Sequence, residues 1–479
     1  MSSELLASYF VDKPAFERFR DRALRICIAE SRKGVGKSAL LSYTAYTVTT
    51  RYPNDVVIRV RGKDLLALKE VVSNPDSLIH DWQQRICTAI LHRLGSDLRV
   101  ASTDDTMSIV QASELSGFRE RNIIGALIDR LKLNIGKAGV SVSSERIAVA
   151  DSAQLLTRYQ SKVNQPTVWF FIDDIDATFV NSVDARLRLS TFFSAISILA
   201  TEVSGLCIRA SVRSDVWAIV RPSDEALDKV EQYVFEIAWE EHETLSILAN
   251  RVQSYLQRTG DSRAGLKPQN REQREKYLGF VFENTMAWGD GMRPPHVIID
   301  TLSHGRPRWA IQLCRMAAVT AAEAGHKVIC LDDITRNLAK YGEARVSDIK
   351  REYQHQCPQV GELIDAFVKQ SSKYQTDALV KLIKNRILEH LVPVIDGTKV
   401  DDAVAVAHFL FRIGFLTARD DLDEGDYRHY KYEDLTNLLK NRANLDYGYS
   451  WELHPCFRQY LQLHSFVPKF HSRTKRTAY

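Results

Sequence analysis

The chain has 479 residues, enough for two to four domains, and its 45% apolar and 26% charged residues are those of an ordinary globular protein. A net charge of +4 is too small to argue for a nucleic-acid protein. Seven cysteines lie without C-x-x-C spacing, several in apolar runs, which points to reduced thiols in a cytosolic protein; the start, Met1-Ser-Ser-Glu-Leu-Leu6, lacks a signal-peptide layout, and no apolar run reaches membrane-spanning length.

In chain order, Ala23-Leu-Arg-Ile-Cys-Ile-Ala-Glu30 reads as a buried strand, and Ala39-Leu-Leu-Ser-Tyr-Thr-Ala-Tyr46 can open a helix. Between them lies Ser31-Arg-Lys-Gly-Val-Gly-Lys-Ser38, so a glycine-rich loop joins strand to helix, the context a phosphate-binding loop requires. Gly34 and Gly36 let backbone N–H groups converge on phosphate oxygens, and the positive end of the helix adds attraction. Lys37 brings a point charge for the β- and γ-phosphates, and the Ser38 hydroxyl is a Mg²⁺ ligand. The cradle is expected to comprise Ser31, Arg32, Lys33, Gly34, Val35, Gly36, Lys37, Ser38 and Ala39. The usual pattern is G-x-x-x-x-G-K-[ST]; here its first glycine is Ser31, a residue that resists positive φ.

Val56-Val-Ile-Arg-Val-Arg61 reads as a second strand. Residues 65 to 165 are read as helices with a flexible insertion, with loop-like stretches at Ala101-Ser-Thr-Asp-Asp-Thr106 and at Gly136–Ser144. Next, Val168-Trp-Phe-Phe-Ile172 suits a strand buried on both faces and runs into Asp173-Asp-Ile-Asp176. Asp173 ends that strand as the natural Mg²⁺ carboxylate, Asp174 is placed to position or activate an attacking water, and Asp176 is a weaker candidate for that work. In Gly205-Leu-Cys-Ile-Arg-Ala-Ser-Val-Arg-Ser-Asp215 a third apolar strand ends polar. Arg213 there is expected to reach a γ-phosphate; the alternative is a structural pair with a nearby carboxylate such as Asp215. With Tyr233-Val-Phe-Glu-Ile237 the strands number five, and the helical segments between them imply parallel crossovers, an α/β fold.

Past residue 240 the pattern turns helical, as in Trp239–Val252. Gly305 and Pro307 suit a turn entering a helix, with Arg306 and Arg308 at its start. Residues 376–392 and 401–412 read as two helices, and 414–419 with 427–432 as a hairpin across the acidic turn Asp420–Asp426. The 401–412 helix offers mainly Ala, Val, Leu and Phe, and the hairpin tip is acidic; both argue against base or phosphate contact. The basic tail Lys469–Arg476 reads as a solvated terminus.

These motifs, in this order and spacing, resemble the AAA+-like P-loop NTPases of the STAND and origin-recognition type, and more closely the stand-alone bacterial ATPases often encoded beside phage-defence genes. The matches are the phosphate loop at 31–38, the Walker B strand at 168–174, the sensor-1-like Arg213, and Gly305-Arg-Pro-Arg308, which is similar to the G-x-P or sensor-2 element; together they cover roughly residues 20 to 345. The second Walker B acid is often Glu in such families, and here it is Asp174. The resemblance implies a parallel-sheet nucleotide domain over 1–240, a helical lid over 241–350 and a winged helix over 351–479. It implies that Arg308 faces the nucleotide. It further implies that His454, in Trp451-Glu-Leu-His-Pro-Cys-Phe-Arg458, contacts a bound diphosphate; the alternative is a packed histidine starting a helix at Pro455.

The implied activity is ATP binding and hydrolysis, with ATP or ADP and Mg²⁺ as ligands, in a cytoplasmic molecular switch that controls a separate partner; the stand-alone relatives further imply a place in antiphage defence. The chain begins almost at the phosphate loop and ends after the winged helix, so an effector is expected to be a separate protein. Assembly as a homo-oligomer or with that protein is expected because no residue stands out as an arginine finger; Arg186, Arg188 and the insertion at about 100–160 are the places to look. No membrane partner is expected. Nucleic acid, through a DNA-loading or remodelling role, is a less favoured alternative. A non-hydrolysing ADP-bound scaffold is another, and the lid and winged helix disfavour a small-molecule kinase.

Overall fold

The computed structural model describes residues 2–65, 74–95, 152–162, 165–289, 291–422, 427–440, 442 and 444–464. It resolves into two units, Met1–Ala238 and Trp239–Tyr479. Most of the expected 65–165 insertion, including both loop-like stretches, and the basic tail lie outside the described residues.

The first unit is built on five strands: β1 (Ile26–Glu30), β2 (Val56–Arg61), β3 (Val168–Asp173), β4 (Leu206–Val212) and β5 (Val234–Glu236). They pair in parallel in the order β2-β3-β4-β1-β5. The chain leaves β1 for the far edge, steps back through β3 and β4, and then passes over β1 to β5. Right-handed crossovers put connections that run in opposite directions on opposite faces. The helix Lys37–Arg51 accordingly shares one face with Ser3–Tyr9 and the 3₁₀ turn Pro14–Arg20, while Pro75–Gly95, Ser152–Gln160, Val183–Glu202 and Ser214–Val220 pack on the other. The reversal between β1 and β4 opens a crevice at the carboxyl ends of these strands, the usual place for a ligand in such sheets.

Alternation assigns the strand side chains to these two layers. Val168, Phe170 and Ile172 of β3 join Leu206, Ile208, Ala210 and Val212 of β4 in the core under Val183–Glu202. On the opposite face Arg209, fully buried, stands 4.8 Å from the Trp169 ring. Its guanidinium donates to the carbonyls of Phe19 (2.7 Å), Ile208 (2.9 Å) and Asp21 (2.8 Å). A cation in mid-sheet is tolerated because its donors are spent on carbonyls, one of β4 itself and two of the segment Phe19–Asp21.

The second unit opens with Glu241–Thr259, held at its start by a capping box between Glu240 and Glu243. A short hairpin of β6 (Met286–Trp288) and β7 (Gly291–Arg293), absent from the sequence expectations, precedes Pro295–Ser303. Pro307 occupies the first turn of Pro307–Glu323, as expected. Leu338–Tyr353 and Val360–Asp365 lead to β8 (Lys373–Tyr374). The expected helix at 376–392 is α-helical only over Thr376–Ile383 and continues as a π turn to Leu388. After the two-stranded β9 (Val394–Ile395) and β10 (Thr398–Lys399) comes Ala403–Arg412, then β11 (Leu416–Asp421), β12 (Tyr427–Tyr430) and β13 (Ser450–Leu453). The last three and β8 form an antiparallel sheet in the order β12-β11-β13-β8. The helix Ala403–Arg412 sinks Ala403, Val406, Ala407, Phe409, Leu410 and Phe411 into the core of this unit. That core runs without a break from Leu245 to Leu463.

All seven cysteines are free of disulfides, five of them buried. Among the described residues no helix is long and apolar enough to cross a membrane.

Candidate nucleotide site

The loop after β1 is moored to β4. Ser31 N–H donates to the Val212 carbonyl (3.3 Å), and the Ser31 carbonyl accepts from Ser214 N–H (3.3 Å) and from Lys37 Nζ (2.7 Å). Gly34 (φ 86°) and Gly36 (φ 131°) take the positive dihedrals. Ser31 is not among the positive-φ residues, so the expected strain from losing the first glycine of the pattern is absent: the turn is made at Gly34 and Gly36. Lys37 is buried, and its ammonium also reaches the Arg32 carbonyl (3.3 Å), so the charge is held inside the curl of the loop. Arg32 and Val35 are buried, Lys33 and Ser38 exposed, and Gly34, Gly36 and Ala39 half-buried. Gly36 is the N-cap of Lys37–Arg51 and gives it no side-chain cap, so the positive end of that helix opens directly at the loop.

Two strands away, β3 ends on its acidic run. Ser211 of β4 donates from Oγ to Asp173 Oδ1 (2.7 Å) and accepts from Asp174 N–H (3.1 Å). One hydroxyl thus fixes both the first carboxylate and the turn that follows it. Asp174 sits in the left-handed region (φ 56°), where an L-residue other than Asn, Asp or Gly is strained. The turn is also packed tightly: a Cβ on Gly62, just past β2, would lie 2.2 Å from Ile175 Cα and 2.7 Å from the Asp174 carbonyl oxygen. Burial, then the charges of Asp173 and Asp176, push the Asp174 carboxyl above the usual range, against the pull of Lys37 and Lys33.

Arg213 lies at the end of β4, as expected, and is taken up by a carboxylate. Asp176, 2% exposed, accepts from Arg213 N–H (2.7 Å) and Nε (3.2 Å), and Asp215 stands 3.7 Å from the same Nε. Asp176 therefore anchors the arginine; in the sequence reading it was only a weaker catalytic candidate. Loop, Asp173, Asp174 and Arg213 meet at the carboxyl ends of β1, β3 and β4. Ser211 and Gly62 are the members that sequence reasoning missed. A serine inside the buried run Leu206–Val212 was the available signal; for Gly62 there was none.

Arg308 and His454 belong to the second unit. Arg308 is exposed on the first turn of Pro307–Glu323, whereas its neighbour Arg306 is buried against Glu352 (2.9 Å) and over the Trp309 ring (4.3 Å). His454 is buried, its ring 4.3 Å from that of His304, and its Nδ1 accepts from Cys456 N–H (3.4 Å) as the cap of Pro455–Arg458. Burial, and then the charges of Arg458, Lys431, His429 and Arg306, hold its imidazole neutral. These local contacts are those of the packed histidine that the sequence reading offered as an alternative. Arg186 and Arg188, on Val183–Glu202, are half-buried.

The donor set fits a nucleotide with a hard divalent cation. An ammonium, curled N–H groups and an open helix end suit an anion, and a hydroxyl with carboxylates suits Mg²⁺. The sheet, its loop and the acid run make this an α/β phosphate-loop fold. No family model and no curated protein matches the chain. Among solved structures it is similar to a Walker-type ATPase of Pyrococcus abyssi (11% identity, 90% of this chain and 96% of that one, TM-score 0.41). It is also similar to the ORC2 protein of Aeropyrum pernix (13% identity, 96% and 93%, TM-score 0.41) and to the Thermotoga maritima RuvB Holliday junction branch migration motor (12% identity, 88% and 91%, TM-score 0.33). Scores this low transfer no activity and no residue role to this chain.

Proposed function

We propose that the protein binds ATP with Mg²⁺ in the crevice at β1 and β4, hydrolyses it, and works as a nucleotide-dependent switch on a separate partner or on further copies of itself. The observation that carries this reading is the meeting of a buried loop lysine, an uncapped helix start and the Asp173–Ser211 pair at one edge of the sheet. In the proposal, residues 31–39 cradle the phosphates and Lys37 turns from its loop carbonyls toward them. Ser38 and Asp173 hold the metal. Bound Mg²⁺ would neutralise charge on the phosphate oxygens. Asp174 orients the attacking water and takes its proton, for which a raised carboxyl is suited. Arg213 and Arg308 distinguish a γ-phosphate from its absence. Residues 241–350 are read as a lid and 351–479 as a winged-helix domain that responds to the nucleotide; a role in antiphage defence rests on the family resemblance alone.

Lys37→Ala tests the site. Losing the phosphate-facing charge is expected to weaken ATP binding by several kcal/mol, on the order of a broken charge pair. The fold should lose only about 1 kcal/mol, for the loop carbonyls it leaves unbonded. Equilibrium nucleotide binding of a folded Lys37→Ala protein at parental affinity would refute the assignment. Light scattering of the parent with and without ATP-Mg reads assembly; a strict monomer with full turnover and no co-purifying protein would remove that part of the proposal.

A further inference from the structure

We propose that His326, Cys330 and Asp333 form a zinc-binding site between the helices Pro307–Glu323 and Leu331–Thr335. Their ligand atoms already converge. His326 Nδ1 lies 3.0 Å from both Asp333 oxygens and 3.6 Å from Cys330 Sγ, and Sγ lies 3.2 Å from Asp333 Oδ2. A tetrahedral Zn²⁺ with ordinary Zn–N, Zn–S and Zn–O lengths sets its ligand atoms about 3.4–3.6 Å apart. The cluster needs to open by only a few tenths of an ångström to admit the ion.

The backbone holds these residues in place by two helix ends. Gly325 (φ 72°) closes Pro307–Glu323 with paired bonds, Gly325 N–H to the Ala322 carbonyl (3.2 Å) and His326 N–H to the Ala321 carbonyl (2.9 Å). This fixes where His326 leaves the helix. Four residues later Cys330 is the N-cap of Leu331–Thr335, and Asp333 returns a bond to Cys330 N–H (2.9 Å). Between the two ends Ile329 bridges to Phe282, with Ile329 N–H to the Val281 carbonyl (2.8 Å) and Glu283 N–H to the Ile329 carbonyl (3.0 Å). Capping alone accounts for Cys330 and Asp333, but not for an imidazole aimed at both.

The chemistry of the three atoms selects the metal. Thiolate, imidazole and carboxylate together suit Zn²⁺, whereas Ca²⁺ and Mg²⁺ demand oxygen ligands. Asp333 is buried and His326 exposed, so the ion has a firm floor and an open side from which water completes the tetrahedron. Binding releases the Cys330 thiol proton to solvent and ties the connection between the two helices.

The test uses the full chain, stripped with chelator and titrated with Co²⁺ in the absence of nucleotide. A thiolate-to-cobalt charge-transfer band should grow and saturate at one equivalent, and Zn²⁺ should bleach it. Cys330→Ser preserves the helix cap, since serine is a strong N-cap, and should abolish the band. His326→Ala should weaken Co²⁺ binding by at least about tenfold. No band in the parent, or a full band in Cys330→Ser, would overturn the site. Should Cys330→Ser not fold, undiminished Co²⁺ affinity in His326→Ala would overturn it instead.

Discussion

Gly62→Ala adds one methyl group at the point where β2 meets the acidic turn. The new carbon would stand 2.2 Å from Ile175 Cα, 2.7 Å from Ile175 N and 2.7 Å from the Asp174 carbonyl oxygen. All three are backbone atoms, so no rotamer change relieves the overlap, and the turn has to retreat by roughly 1 Å to restore van der Waals contact. Overpacking of this kind costs about 1–3 kcal/mol, here toward the upper end because the turn is also tied to Ser211. For a unit of this size that corresponds to a fall in melting temperature of about 5–10 °C. The larger consequence is chemical. If Asp173 and Asp174 serve the proposed hydrolysis, a 1 Å displacement should slow single-turnover hydrolysis by about 100-fold while the phosphate loop, on β1, still binds nucleotide. Thermal melting, single-turnover hydrolysis and equilibrium nucleotide binding separate these effects. A parental melting temperature would refute the close approach, and a destabilised protein with parental hydrolysis would show that the turn plays no part in the chemistry.

Asp174→Asn should lose hydrolysis but keep nucleotide, and should gain stability: asparagine tolerates the left-handed backbone and carries no charge beside Asp173 and Asp176. Because the folded carboxyl binds its proton more tightly than the unfolded one, the parent loses stability as pH rises above the ordinary value of 3.8, and the variant's advantage should appear in melts above that pH and vanish below it. An equal gap at all pH values would contradict this. Glu452 is the opposite case. Burial would raise its carboxyl, but the His429 hydrogen bond, the charges of Arg458 and His429, and the Arg419 hydrogen bond outweigh it and bring the value from 4.5 down to about 2. Its contribution, about 3 kcal/mol, is present above pH 4.5 and lost on acidification toward pH 2, so denaturant midpoints of Glu452→Gln and parent should differ at pH 7 and converge in acid. Arg308→Ala should fold normally and blur the preference for ATP over ADP. Arg213→Ala should do the same at a cost of about 2–4 kcal/mol, because it leaves the buried Asp176 without its ion-pair partner. Unchanged ATP-over-ADP preference in both, measured by competition binding, would remove the sensor roles.

The phosphate loop, the five strands and the acidic strand end were legible in the sequence because each is a local pattern. An apolar run bounded by glycine or aspartate reads the same wherever the chain carries it. The buried Ala403–Arg412 was legible for that reason too, since its apolar residues leave few polar side chains to present. What the sequence could not decide were the partners of polar groups brought together across the sheet. Arg213 was visible, but its pairing with Asp176 depends on the parallel alignment of β3 and β4. Ser211 meets Asp173 across 38 positions of chain, and Gly62 meets Ile175 across a segment of more than 100 residues. For His454 the start of a helix at Pro455 was legible because it is local, but the packing of its ring on His304, 150 positions earlier, was not. Periodicity reports which residues are buried. Which buried polar groups satisfy one another is settled only when the strands take their order and register.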